Sequence, residues 1–365
     1  MIAAQLYFSV YLAVVIVLTI VLSLQYSKYP NSRIQDQQKL TNIGGYLWPV
    51  IFTVFIGLRP ISYMFVDMVN YNTFYLAFSY GKQFHFTWDT ENFIFDNLFN
   101  WLGSNFYEIT IFFLIIAAIY FIGTYVALRK FFPKDSVYAF IVFLAAFSTY
   151  SYGTNGIKAG AATAIFLCAA AYYRKPLICI LLMFLSLGFH HSMLVPIAAF
   201  VISYFFKNFK WHLVIWCITV LIALAHITYF QELFASLSGD DTVATNYLAN
   251  ESSNWGGKTG FRLDFVLYSS LPIVIGYYAI IVHKFKSRGY SILLSTYTLS
   301  NAVWMLCMYA SFTNRIAYLS WFMYPVLIIY PFLEKEFIPR QYSMLNKVVW
   351  LQLLFLLAMN FIYYA

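Results

Sequence analysis

Continuous apolar runs recur along the chain with short polar breaks between them. They lie near residues 4–24, 41–58, 108–127, 137–153, 159–173, 176–189, 192–206, 211–229, 264–282, 289–309, 316–333 and 346–364. Runs of this kind suit helices that cross a ~30 Å hydrocarbon core. Their continuity, without strict alternation, predicts helices rather than the strands of a barrel. The stretch 176–206 needs separate treatment. As one helix of 31 residues it would run ~46 Å, too long for the core even when tilted. It is interrupted at Gly188-Phe189-His190-His191, and Pro196 lies beyond. Arg174 and Lys175 precede it and Lys207 and Lys210 follow it, so both ends belong on one side. The stretch is therefore expected to be a short hairpin with a histidine tip. Each arm is ~21 Å, so the tip stops within the membrane envelope, in a cavity lined by protein.

The expected fold is an all-α, polytopic transmembrane helix bundle of about 12 membrane segments, with residues 1–365 forming a single integral membrane domain. Basic residues orient it. With both termini outside, cytoplasmic turns hold Lys28, Arg33, Lys39, Arg129, Lys130, Lys134, Arg174, Lys175, Lys207, Lys210, Lys284, Lys286, Arg288, Lys335, Arg340 and Lys347, 16 of the 22 Lys and Arg. Arg59, Lys82, Lys158, Lys258, Arg262 and Arg315 fall outside. Of the acidic residues, Asp36, Asp135, Glu334 and Glu336 lie inside and the other ten outside. Two outer loops are long, about 59–107 and 230–263. The first alternates aromatic and polar residues and predicts short amphipathic helices at the interface. The second, Ser238 to Gly260, is rich in Gly, Ser, Asn and Asp and has the composition of a mobile lid.

Composition agrees with this pattern. The chain is 62% hydrophobic and 10% charged, with a mean hydropathy of +0.71, which excludes a water-facing globular surface. Aromatic residues reach 22%, more than an interfacial belt needs. Cys168, Cys179, Cys217 and Cys307 all lie inside apolar runs without Cys-x-x-Cys spacing and read as small hydrophobes. No basic n-region or small-residue cleavage site opens the chain, so the first segment is expected to be a retained helix.

Cations near membrane depth are costly and mark candidate function. Arg59 follows the run Val50–Leu58, with Pro60 behind it, and Lys158 opens a small-residue helix just after Asn155. Arg262 follows the second outer loop, and Arg315 precedes a late apolar run. In this topology all four converge on the outer surface, where they suit a diphosphate head group. Arginine forks bind phosphate oxygens bidentately and lysine acts as a point charge. A neutral His190 at the helix break can take a proton from a hydroxyl near neutral pH. Asp67, eight residues after Arg59, is the competing base or else the carboxylate that orients Arg59. His85, His212, His226 and His283 read as interface or core residues. There is no Asp-x-Asp, no His-x-x-x-His and no dense outer acidic cluster beyond Asp240-Asp241, so a metal is not expected. Nucleotide-cradling glycine loops are absent, which disfavours a nucleotide-sugar donor. No cofactor and no nucleic-acid partner are expected.

At these residues the chain resembles the EpsG family of bacterial exopolysaccharide and capsule polymerases, a branch of the wider Wzy-type polymerases that include O-antigen polymerases. The resemblance runs over Gly57-Leu58-Arg59 with Asp67, Asn70 and Tyr71, then Glu91-Asn92-Phe93 leading to Leu98. Asn155 with Lys158, the turn Phe189-His190-x-Ser192, and Arg315 continue it. Lys158 departs from the arginine usual at its position, which keeps the charge but loses the fork. The resemblance implies a multi-pass protein of the bacterial inner membrane that acts on undecaprenyl-diphosphate-linked oligosaccharides at its outer face. A growing glycan is passed to the non-reducing sugar of another lipid-linked repeat unit, with His190 or Asp67 as base. Arg59, Lys158, Arg262, Arg315, Asn155, Tyr71 and Glu91 would bind substrate among membrane lipids, with a flippase and a chain-length regulator as protein partners. The rival readings are a lipid-linked oligosaccharide flippase, against which no inverted repeat halves are visible, and a glycan ligase or acyltransferase.

Overall fold

Each apolar run becomes helix in the computed structural model, which describes residues 2–28, 45–79, 83–237, 260–311 and 313–363. In chain order the helices are α1 (Tyr7–Lys28), α2 (Leu47–Gly57), α3 (Met68–Ser79), α4 (Phe93–Ser104), α5 (Ile109–Phe131) and α6 (Ser136–Leu144). Next come α7 (Thr149–Thr154), α8 (Ile157–Ala171), α9 (Pro176–Phe189), α10 (Leu194–Phe205), α11 (Phe209–Leu224) and α12 (Tyr229–Leu237). The last five are α13 (Leu263–Tyr277), α14 (Arg288–Leu306), α15 (Thr313–Trp321), α16 (Tyr324–Glu334) and α17 (Gln341–Ala358). Among the described residues there is no strand.

Among the described residues, five helical stretches are long and apolar enough to cross a membrane: Ala4–Leu24, Ile109–Phe131, Leu263–Val282, Thr313–Glu334 and Gln341–Phe361. Leu47–Gly57, Ile157–Ala171, Pro176–Phe189, His191–Phe205 and Phe209–Leu224 are apolar but shorter. This is coarser than twelve full spans, and the reason is local. The run 137–153 splits into α6 and α7. The 19 residues of α14 bury Ser295, Thr296, Thr298, Ser300 and Asn301, which lowers its hydropathy. α9 has proline in its first turn, where the missing N–H costs nothing. It ends where His190 turns to extended backbone, φ −155° and ψ 114°, and a 3-10 turn, His191–Met193, follows. The first outer loop carries the short helices expected of it. α4 buries Phe95, Phe99 and Leu102 along one side. The expected lid between Ser238 and Gly260 lies almost wholly outside the described residues, as do Lys82, Lys258, Asp240, Asp241 and Trp255.

The chain divides into two compact units, Met1–Leu194 with Phe332–Ala365, and Val195–Pro331. In the first, α5 packs on both α2 and α8, and α8 packs on α9. At one end of α5, Arg129 donates to the Tyr46 hydroxyl and Lys130 lies over the Tyr172 ring. At the other end the loops after α2, before α4, before α8 and after α9 meet. Residues that the basic-residue pattern assigns to opposite sides thus gather at opposite ends of this unit. A close approach makes that meeting possible: a Cβ on Gly188 would stand 2.6 Å from the Ile94 side chain and 2.8 Å from Phe93.

The second unit is pinned by one amide. Asn301, fully buried, accepts from Trp216 Nε1 at 2.8 Å and donates to Ser269 Oγ at 3.1 Å and Ser320 Oγ at 3.0 Å. Trp321 Nε1 also donates to Ser269 Oγ at 2.8 Å. This network joins α11, α13, α14 and α15, and in an apolar interior it has no water to replace it. Asn301→Ala strands an indole N–H and removes two hydroxyl contacts, at a cost of about 1–3 kcal/mol. Thermal unfolding in detergent should show a lowered midpoint, and an unchanged midpoint would mean the network is not holding these helices.

Candidate functional site

Arg59 sits just beyond the end of α2, where the last carbonyls of a helix lack partners. Its Nη1 donates to Ile56 O at 2.7 Å and its Nη2 to Thr154 O at 2.8 Å. The guanidinium therefore caps the C-termini of α2 and α7 together, the favourable end of the helix dipole for a cation. Phe65 and Phe113 stand beside it, their ring centroids 5.3 and 5.0 Å away. Arg59 is 2% exposed, and Nε has no hydrogen-bond partner among the described residues. Burial lowers its pKa to about 10, opposed by Tyr150 and Tyr7, so it remains a cation at neutral pH. The carboxylate that sequence alone suggested as its orienting partner does not fill that role. Carbonyl oxygens at two helix ends do so instead, because the chain turns at Leu58 and carries the side chain back under α7.

Asp67 is held by its backbone: its N–H donates to Asn155 Oδ1 at 3.3 Å. Val66 before it has φ 47°, a region that a β-branched residue rarely adopts, which stores strain beside a candidate base. Asn155 thus ties the loop after α2 to the turn before α8. The half-buried Asp67 carboxylate makes no ion pair or hydrogen bond among the described residues. Tyr71 packs within an aromatic cluster, 6.0 Å from Phe95 and 6.1 Å from Phe99 between ring centroids.

Lys158 is the second residue of α8, where the helix dipole disfavours a cation. Asp96 on α4 offsets this, with Oδ1 3.0 Å from Nζ, and the ammonium lies 4.8 Å from the Phe95 ring centroid. Both side chains of the pair are 27% exposed, so an incoming anion can reach the lysine.

Asn92 bridges the histidine turn. It stands at the N-cap of α4, yet its side chain makes no cap hydrogen bond there, forgoing the usual role of asparagine at that position. Its Oδ1 instead accepts the His191 backbone N–H at 3.0 Å and lies 3.3 Å from His190 Nδ1. A backbone N–H can only donate, so the amide must present its oxygen here. His190 Nδ1 is then the donor, and in the neutral ring Nε2 carries the lone pair. The contact selects the tautomer a general base needs. Glu91 Oε2 lies 3.3 Å from His191 Nδ1, an ion pair when the ring is protonated, though not aligned as a hydrogen bond. Glu91 thus faces the second imidazole.

Arg262 and Arg315 belong to the other unit. The Arg262 fork is occupied: Nε donates to Asp264 Oδ1 at 3.0 Å and Nη2 to Asp264 Oδ2 at 2.7 Å, with the Phe265 ring 3.5 Å away. A bidentate carboxylate fills the geometry expected for phosphate, because Asp264 follows two residues later in the first turn of α13. Arg315 is exposed on α15. The structure thus brings together Arg59, Asn155, Asp67, Lys158, Glu91 and His190 at one end of one unit. Sequence reasoning assigned no role to Asn92 or Asp96. Asn92 had a signal in the Glu91-Asn92-Phe93 triplet, whereas Asp96 had none apart from its acidic character on the outer loop. Among the described residues, no group of three or more His, Cys, Asp and Glu is gathered closely enough to hold a metal ion.

No curated protein and no solved structure matches the chain. The sequence pattern of the EpsG family matches residues 45–365, which include every residue of this site. Together with the apolar helices, that match indicates an integral membrane protein of polysaccharide biosynthesis. The chain belongs to the EpsG family, a family of Wzy-type polysaccharide polymerases.

Proposed function

We propose that this protein joins undecaprenyl-diphosphate-linked oligosaccharide repeat units at the outer face of the bacterial cytoplasmic membrane, with His190 as general base. The observation that carries the reading is the Asn92 bridge, which makes Nδ1 of His190 the donor, so that Nε2 is the accepting nitrogen of the neutral ring, within a cationic, partly exposed end of the first unit. The acceptor sugar hydroxyl attacks the anomeric carbon of the donor glycan. Its proton passes to His190 Nε2, and the bond to the lipid diphosphate breaks with its electron pair on the leaving oxygen. Lys158 exchanges Asp96 for the diphosphate and stabilises the charge that grows there. Arg59 is too enclosed to act as an open fork. It positions the turn at Thr154 and Asn155 instead, and its charge adds to the field at long range. Asp67 is the alternative base, favoured by its unpartnered carboxylate. No step requires a metal ion.

The primary test is incubation of purified protein with a lipid-linked repeat unit, in excess chelator, with products resolved as a ladder. A ladder should form. Absence of extension, or restoration only by a divalent ion, would overturn the proposal or its metal independence respectively.

His190→Ala should abolish the ladder while donor binding persists, because a base acts on the acceptor and not on the diphosphate. Asn92→Ala should lower the rate about 10- to 100-fold through loss of tautomer and orientation. Asn92→Asp should restore part of that rate and move the acidic limb of the pH profile to higher pH, because a carboxylate stabilises the imidazolium. If His190→Ala polymerises normally and Asp67→Asn does not, Asp67 is the base.

Lys158→Gln should cost on the order of 10²–10³ in rate, the usual loss for one preorganised charge, whereas Lys158→Arg should be tolerated. Asp96→Asn combined with Lys158→Gln should be no worse than Lys158→Gln alone, since coupled residues are not additive. Additive losses in that cycle would separate Asp96 from the lysine.

A further inference from the structure

Away from this site, the second unit carries an open cavity of about 540 Å³ between the end of α10 and the segment joining α13 to α14. Lys207, Lys284, Lys286 and Arg288 line it, with Ser203 and Ser287 between them. Among the described residues, none lining it is acidic. The cations are held there by a defined backbone. A π-helical turn, Tyr278–Val282, ends α13, and His283 N–H and Phe285 N–H return to Tyr278 O and Ala279 O at 3.0 and 2.9 Å. Lys284 has φ 54°, a left-handed position that glycine would take at less strain. Ser287 Oγ accepts the Tyr290 N–H at 3.2 Å, and the Arg288 guanidinium lies 5.1 Å from the Tyr204 ring centroid. Ile280 and Ile292 give the cavity an apolar wall, and Ile202, Phe205, Phe206 and Val282, within two residues of lining positions along the chain, are exposed.

We propose that this cavity binds the phosphodiester head group of an anionic phospholipid. Lys207, Lys284 and Arg288 facing one cavity, with no acidic residue among the described lining, match the phosphate, and the neighbouring apolar side chains match the acyl chains. A free phosphate would have no use for the apolar flank. Basic pockets at the ends of membrane helices take anionic head groups in this way. The charge pattern places all four cations in cytoplasmic turns, so the lipid belongs to the inner leaflet. That assignment alone rests on the orientation proposed above, and the binding itself is independent of polymerisation.

The test is native mass spectrometry of the purified full chain with phosphatidylglycerol, with phosphatidylcholine of the same acyl chains, and with inorganic phosphate as competitor. Phosphatidylglycerol should be retained in preference to phosphatidylcholine and should resist millimolar phosphate. At about fivefold per cation, Lys284→Gln with Arg288→Gln should weaken its binding on the order of 25-fold. The control pair Lys210→Gln with Lys347→Gln, which removes equal charge outside the cavity, should change it less than about twofold. If the cavity pair does not purify as a monodisperse species, each single change should still show about a fivefold loss. Equal losses in both pairs, no preference between the lipids, or full displacement by inorganic phosphate would overturn the site. In intact cells, Ser287→Cys should resist a membrane-impermeant thiol reagent, and labelling with lipid binding intact would overturn the leaflet assignment and leave the site standing.

Discussion

Inside an apolar bundle, a buried polar group has only the protein to satisfy it, and the cost of leaving it unpaired is several kcal/mol. Arg59 shows how this protein meets that constraint. A guanidinium 2% exposed is matched not by a carboxylate but by the orphan carbonyls of two helix ends. The same contacts close α2 and α7 and fix the turn that presents Asn155 and Lys158. Removing the charge would free two helix ends at once, so Arg59 belongs to the frame of the site as much as to its electrostatics.

The site is assembled from short elements rather than long ones. α4 carries Phe95, Asp96 and, at its cap, Asn92. Its packing on α9 depends on the missing side chain at Gly188. That contact sets Asn92 against the histidine turn and Asp96 against Lys158 together. Two polar functions, orientation of an imidazole and restraint of an ammonium, therefore rest on the placement of one amphipathic helix. Because the Lys158–Asp96 pair is partly exposed, it contributes little to stability and can open to an anion at small cost. Arg59, whose Nη1 and Nη2 are engaged by carbonyls, and Arg262, whose fork is filled by Asp264, are suited to holding structure and shaping the field.

The second unit follows the same rule with a neutral group. Asn301 uses its oxygen and both its amide hydrogens in the interior, so the amide that α14 buries is fully satisfied. The aromatic excess is used similarly in both units. Phe95, Phe99 and Phe112 form edge contacts under α3 and α4, and Phe265 and Tyr268 flank Trp321, packing where a purely aliphatic bundle would leave gaps.

Hydropathy and the placement of lysine and arginine are local and additive, so the positions of the helices, the break at His190 and the grouping of residues at the two ends of the first unit could be read from the chain alone. Arg59 and Lys158 were singled out for the same reason, as cations at the ends of apolar runs, whereas Glu91–Phe93 stood out only through the family resemblance. Hydrogen-bond partners are different in kind. Arg59 and Thr154 are 95 residues apart, and Asn92 and His190 are 98 apart. No periodicity links them, and which oxygen reaches which nitrogen depends on packing at the scale of one ångström. Tertiary structure alone decided that Arg59 serves carbonyls, that Arg262 serves Asp264, that Asp96 restrains Lys158, and that Asn92 sets the tautomer of His190.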